Sequence, residues 1–211
     1  GVQHIVEALR AYTHEFTNKL HVILGLLQLG ENRQAEEYVL RLTKTRAHSI
    51  SYISERIQEP SVAALLIGKS YRAAELGIRF VLDPASELRG DGQYLPASSL
   101  ITILGNLTEN AFDALRSAPE NAQKEVTVSI REGEHGMLLS VDDSGAGMAV
   151  PQLDRIFERG FSTKGEGRGT GLSLVKETVD AFGGTIRVES EPGIGSSFII
   201  TFSDAESRAQ T

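Results

Sequence analysis

From the first residue to Glu59 no proline interrupts the chain, and apolar side chains return every three or four positions. Ile5, Leu9, Tyr12, Phe16, Leu20, Ile23 and Leu27 form one stripe; Val39, Leu42, Ile50, Ile53 and Ile57 form a second, with Arg46 interrupting it. That spacing puts each set on one face of an α-helix. Gly30-Glu-Asn-Arg between them supplies a stop and a short turn, so the pattern predicts an antiparallel helical hairpin. From Leu20 onward the first helix also carries Val22, Leu24, Leu26 and Leu29 off the stripe, and is apolar nearly all round. One partner helix cannot cover such a surface. A second copy of the hairpin can, by closing a symmetric four-helix bundle, and a homodimer is therefore expected.

After Glu59-Pro60 the texture changes, and a second domain over 60–211 is predicted to follow the hairpin of 1–59. Its pattern reads as a short helix from Val62 to Leu76, a strand from Ile78 to Leu82, and a loop rich in Gly, Asp and Pro up to Pro96. A helix to Arg116 comes next, then strands from Val126 to Ile130 and from Met137 to Val141. A glycine-rich tract over 143–171 leads to a helix from Thr170 to Phe182 and a last strand pair, Thr185 to Glu189 and Ser197 to Phe202. Helices and mostly antiparallel strands in mixed order define the class as α+β.

Composition narrows the function classes. The 211 residues are 40% hydrophobic, include no cysteine and carry a formal net charge of −7. Disulfide scaffolds and thiolate metal sites are excluded, and the lack of cysteine fits the cytoplasm. An acidic chain without a basic cluster has no electrostatic grip on phosphate backbones, so nucleic acid is not an expected partner. The longest nearly uncharged apolar run, Val22 to Leu29, is less than half of the roughly 20 residues that a membrane helix needs. Because the helical pattern is already running at the first residue, the chain reads as part of something longer.

Three features carry candidate chemistry. On the helix before Arg116, Asn106, Asn110 and Asp113 lie at i, i+4 and i+7 and share one face, opposite Leu100, Ile103, Leu104, Leu107, Ala111 and Leu115. A solvated stripe is the plain reading, but asparagine is a poor helix former and two of them stacked mid-helix suggest a ligand. Asp143-Ser-Gly145-Ala-Gly147 follows an apolar strand, so its carboxylate sits at a strand end beside glycines that let backbone approach closely. It is also compatible with a simple tight turn. Gly165-Glu-Gly167-Arg-Gly169-Thr-Gly171-Leu ends where a helix begins, and free N–H groups at such a terminus suit phosphates. Lys164 and Arg168 add positive charge there; a flexible linker explains the glycines but not their abutting an apolar helix.

In this order the three features resemble the Bergerat-type ATP-binding domain shared by sensor histidine kinases, type II topoisomerases, one chaperone class and mismatch-repair ATPases. NLTENAFDAL is similar to the N box, VDDSGAGM to the first glycine box, IFERGFSTK to the F box that opens the ATP lid, and GRGTGLSLV to the second glycine box. GGTIRVESEPGIGSSF resembles the closing hairpin, so the likeness covers about 96–202. It implies an α/β sandwich that binds ATP and Mg²⁺. Asn110 would ligate the metal, Asn106 and Asp113 would line the site, and Asp143 would take the adenine amino group with Gly145 and Gly147 making room for the base. Lys164, Arg168, Gly169, Thr170, Gly171 and Leu172 would surround the phosphates. Hydrolytic members carry a glutamate one turn before the metal asparagine; Asn106 stands there instead, which disfavours hydrolysis and points to transfer onto a protein nucleophile.

His14 is the candidate acceptor. At about 100° per residue it lies roughly opposite the apolar stripe, facing solvent. His4, His48 and His135 have no special company, and His21, on nearly the same face as His14, has no two-histidine metal spacing. HEFTNKLH resembles the phosphoacceptor box of sensor kinases, and HEFTNKLHVILGLLQL with ALLIGKSYRAAELGI is similar to the citrate and C4-dicarboxylate sensor kinases. The resemblance implies that Glu15 assists His14 as nucleophile, that Asn18 orients water for dephosphorylation, and that an aspartate of a response regulator receives the phosphoryl group. It further implies the cytoplasmic portion of an inner-membrane sensor, reaching the membrane only through a segment outside these residues. A scaffold with a decayed nucleotide pocket and an ATPase or protein-serine kinase are the competing classes, separable by nucleotide binding and by the acid lability of any label.

Overall fold

The structure is a computed structural model that describes residues 2–43, 48–90, 93–119, 122–158 and 171–203, with the side chains of 2–12, 15, 43, 48 and 49 left out. By their internal contacts the residues form two compact units, Gly1–Ala47 and His48–Thr211.

The first unit is the expected hairpin. Helix α1 (Val2–Gln28) packs against α2 (Asn32–Thr43). Its end follows from Gly30, whose φ of 76° is left-handed. The Gly30 N–H donates to the Leu27 carbonyl (3.1 Å) and the Glu31 N–H to the Leu26 carbonyl (2.9 Å), the paired bonds that close a helix at a glycine. Ala35 is buried at 3% exposure, yet Phe16, Leu20, Val22, Leu24, Leu27 and Leu29 remain exposed. Among the described residues, no helix is long and apolar enough to cross a membrane.

The second stripe is shared between two described helices, with residues 44–47 between them outside the described residues. Its Val39 and Leu42 lie on α2, whereas Ile50, Ile53 and Ile57 lie on or just beyond α3 (His48–Arg56); Arg46, the interrupting residue, lies outside the described residues. Ile53 and Ile57 are each 2% exposed, inside the core of the second unit. Backbone bonds fasten the segment there: the Leu88 N–H donates to the Arg56 carbonyl (2.9 Å) and the Gln58 N–H to the Leu88 carbonyl (2.8 Å). The division expected after Glu59 therefore falls after Ala47 when drawn by contacts, because the apolar face of α3 is buried in the second unit.

That unit continues with α4 (Pro60–Glu75), which starts where the Glu59 carboxylate accepts the Val62 N–H (2.7 Å) ahead of Pro60 in the first turn. Next come β1 (Arg79–Leu82), α5 (Ala97–Arg116), β2 (Glu125–Glu132) and β3 (Gly136–Asp143). The single-turn α6 (Val150–Leu153), α7 (Gly171–Ala181), β4 (Thr185–Glu191) and β5 (Gly195–Ser203) complete it. The strands form a five-stranded sheet in the order β1-β2-β3-β5-β4, parallel only between β1 and β2.

Alternation along each strand sends one set of residues to the helices. Register aligns that set across the sheet: Val128 opposite Val141, Val141 opposite Phe198, and Phe198 opposite Val188. Helices α4, α5 and α7 cover this face, with Phe112 of α5 edge-on to Phe80 of β1 at 6.4 Å between ring centroids. Thr127, Arg131, Arg187 and Thr201 lie on the other face. The result is the expected α+β, two-layer architecture.

Candidate functional site

The inward row of β3 reads Met137, Leu139, Val141 and then Asp143, since every second residue faces the helices. Asp143 thus stands where the core ends and the rim begins, with only 9% exposure. A nearly buried carboxylate needs donors. One is the Gly145 N–H, 2.8 Å from Oδ1.

The loop that follows has no room for side chains at its two glycines. A Cβ at Gly145 would lie 2.7 Å from Asp143 Oδ1 and 3.1 Å from the Ala114 Cβ on α5. At Gly147, where φ is 67°, it would lie 2.0 Å from the Glu191 carbonyl oxygen. The β4–β5 turn is what crowds it: the Gly193 N–H donates to the Ala146 carbonyl (2.7 Å) and the Met148 N–H to Ser190 Oγ (2.8 Å). From the same hairpin, Gly195 approaches β3 so closely that a Cβ there would be 2.0 Å from the Asp143 carbonyl oxygen. Sequence reasoning missed Ser190 and Gly195, although the motif holding both had been recognised as a closing hairpin.

The asparagines lie on α5 as expected. Asn106 is half-buried, and its Nδ2 donates to the Thr102 carbonyl (2.7 Å). Its Oδ1 faces the start of α7, where a Cβ on Gly171 would be 2.9 Å away. Asn110, one turn on, and Asp113 are also half-buried, and Asp113 pairs with Arg116 (3.3 Å). Leu172 packs against the core. Lys69 of α4 forms an ion pair with Glu109 and so ties α4 to α5 beside Asn110.

Helix α5 is the common wall. The glycine loop touches it at Ala114 and the α7 terminus at Asn106, eight residues or about 12 Å apart at 1.5 Å per residue. A base held at Asp143 and phosphates at the α7 N-terminus would span that distance. Among the described residues no group of three His, Asp or Glu side chains is placed to cage a metal. The Asn110 side chain offers a hard amide oxygen of the kind that would suit a magnesium ion.

Of the other expected residues, His14 and Asn18 are exposed on α1, while the side chain of Glu15 and the whole of Lys164, Arg168, Gly169 and Thr170 lie outside the described residues. The structure therefore brings together Asn106 with Gly171 and Asp143 with Gly145, while Gly147 packs against Glu191 of the β4–β5 turn. It leaves the cationic part of the glycine tract without a described position.

Residues 96–206 match the family described as histidine kinase-, DNA gyrase B-, and HSP90-like ATPase, and residues 1–55 match the sensor kinase SpoOB-type alpha-helical domain. The sensor histidine kinase DcuS of Escherichia coli K12 is 44% identical over 201 residues, covering 95% of this chain and 36% of its own length. The sensor protein CitS of Halalkalibacterium halodurans is 41% identical over 210 residues, covering 99% of this chain and 39% of its own. The chain thus spans a little over a third of the curated relatives it matches. Among solved structures, full-length ShkA in complex with AMPPNP aligns with a TM-score of 0.56 and 26% identity, over 94% of this chain and 46% of that one. The catalytic domain of histidine kinase ThkA shares the fold with a TM-score of 0.55 at 22% identity, over 68% of this chain and 90% of that one. The chain therefore belongs to the histidine kinase-, DNA gyrase B- and HSP90-like ATPase family and, by its identity to DcuS and CitS over nearly its whole length, to the same family as those sensor kinases.

Proposed function

We propose that the chain transfers the γ-phosphoryl group of ATP to His14 and then to an aspartate of a response regulator receiver domain. The observation that carries this reading is the approach of Gly145, whose N–H the Asp143 carboxylate accepts, to Ala114 on the side of α5 that bears Asn106 and Asn110. Asp143 would accept the adenine amino group, and the glycine loop would let the base lie against backbone. Asn110 would hold Mg²⁺, which when bound neutralises charge on the phosphates. Lys164, Arg168, Gly169, Thr170, Gly171 and Leu172 would close around the phosphates.

Asn106 supports transfer over hydrolysis. Its amide is engaged with the Thr102 carbonyl and has no basic atom with which to deprotonate water. In the transfer, an imidazole nitrogen of His14 bonds to the γ-phosphorus as the bond to the β,γ-bridging oxygen breaks, and ADP departs. A Glu15 carboxylate on the other ring nitrogen would fix the tautomer and stabilise the imidazolium as it forms. Positioning and charge neutralisation supply most of the rate in such transfers. Asn18 would orient water for dephosphorylating the regulator.

The hairpin is the proposed dimer interface. Phe16, Leu20, Leu24 and Leu27 are each about half exposed in the single chain, and a second copy closing a four-helix bundle would cover them. The helical unit up to Ala47 would serve dimerisation and phosphotransfer, and the unit from His48 onward ATP binding. We place the chain on the cytoplasmic side of an inner-membrane sensor, without a nucleic-acid partner.

Incubation with Mg-ATP labelled at the γ-phosphate is expected to label the chain, the label being lost in acid and surviving base. A label that survives acid would assign a hydroxyl acceptor and overturn the reading. For the pocket, Asp143→Ala and Asn110→Ala are each expected to lower Mg-nucleotide affinity at least about tenfold, as loss of a charge-assisted hydrogen bond or a metal ligand should. Isothermal titration with ATP checks this, and unchanged affinity in both variants would move the pocket elsewhere.

A further inference from the structure

Ser190 lies on β4 opposite Ser196 of β5, half-buried, and no step proposed above uses it. Its hydroxyl joins three chain segments. Oγ accepts the Met148 N–H (2.8 Å), donates to the Gly195 carbonyl (3.1 Å) and lies 2.9 Å from Ser196 Oγ. Met148 directly follows Gly147, and Gly195 presses on the carbonyl of Asp143. One oxygen therefore links the exit of the glycine loop to the backbone that abuts Asp143.

A hydroxyl suits this junction because it donates once and accepts twice, which a methyl group or an ammonium cannot do. The entrance of the loop is tied separately: Ser144 Oγ donates to the Gln123 carbonyl (2.8 Å) and accepts the Glu125 N–H (2.9 Å). At the exit, Gly147 with its left-handed φ is a position where the backbone could swing. Beyond it, Ser190 supplies the side-chain bond that stops such a swing.

We infer that Ser190 is a positioning residue for the nucleotide base, holding the Gly145–Met148 backbone and Asp143 in the arrangement that receives adenine. The inference rests on the nucleotide reading above. Ser190 acts through the backbone at Met148 and Gly195 and contacts no phosphate in that reading. Its loss should weaken binding of ATP and ADP equally and leave the transfer step alone.

The test uses the whole chain. Ser190→Ala, and Ser190→Cys as a variant that keeps the side chain's size with a weak hydrogen-bonding group, are expected to raise the ADP and ATP dissociation constants about tenfold, the effect of losing a partly buried hydrogen bond. The apparent KM for ATP in histidine labelling should rise by the same factor with kcat at saturating ATP unchanged, and Ser190→Thr should restore the affinity. Unaltered affinity in Ser190→Ala or Ser190→Cys, a fall in kcat without a rise in KM, or failure of threonine to restore binding overturns the inference. Wild-type chain that binds no ADP overturns the nucleotide reading itself, whereas normal wild-type binding with an indifferent Ser190 overturns only the positioning role.

Discussion

Replacing His14 with alanine is expected to abolish phosphate incorporation from Mg-ATP, to less than about a thousandth of the wild-type rate, while ATP affinity stays unchanged. Removing a group that orients or polarises slows a reaction by factors of about 100 to 10,000, because the bond-forming atom is still present. Removing the nucleophile leaves no atom to receive the phosphoryl group. The substitution is mild for the fold. His14 is exposed on α1, in a unit separate from the one that holds Asp143 and Asn110, and alanine is the better helix former. His21, also exposed on α1 and on nearly the same face, is the internal comparison. Label retained in His14→Ala and lost in His21→Ala would transfer the acceptor role by two helical turns; label retained in both would remove α1 from the reaction.

Much of this architecture was legible because the core is built from local patterns. The Val126, Val128 and Ile130 alternation and the runs ending at Val141 and Phe202 each set a strand within a residue or two of where it lies. The second helical stripe shows the limit. Ile50, Ile53 and Ile57 keep helical spacing with Val39 and Leu42, so periodicity reads them as one helix, yet Ile53 and Ile57 are buried in a different unit. Spacing reports which residues share a face, not what that face is buried against.

The site divides in the same way. Asp143, Gly145 and Gly147 announce themselves as a strand end followed by glycines, and Asn106 and Asn110 as a polar stripe on an apolar helix. Ser190 and Gly195 carry no such signal, because their part depends on a hairpin more than forty residues downstream folding back onto the loop. The glycines of that hairpin hinted at a tight turn. Nothing local to them indicates that the Cβ-free surface is occupied by the carbonyl of Asp143.

That packing makes Gly147→Ala a severely damaging methyl group to add near the proposed pocket. Two costs combine. An alanine held at a φ of 67° is strained by about 1–2 kcal/mol relative to glycine, through the clash of its Cβ with the adjoining carbonyl. Its Cβ would also stand 2.0 Å from the Glu191 carbonyl oxygen, well inside contact distance, and the obstacle is backbone that cannot rotate away. Relief requires the loop to leave the hairpin, which breaks the Gly193-to-Ala146 and Met148-to-Ser190 hydrogen bonds. The expected loss is about 2–4 kcal/mol of stability, in the upper range for point substitutions, together with a fall of at least about a hundredfold in ATP affinity. Gly68→Ala provides the opposite sign with the same chemistry. Gly68 lies within α4 with no atom near its added Cβ, so alanine there should raise stability by roughly 0.5–1 kcal/mol and leave ATP binding alone. Urea denaturation and ATP titration of the two variants side by side decide the matter: Gly147→Ala behaving like Gly68→Ala would mean that the glycine loop is free of the hairpin and that the pocket is not held from that side.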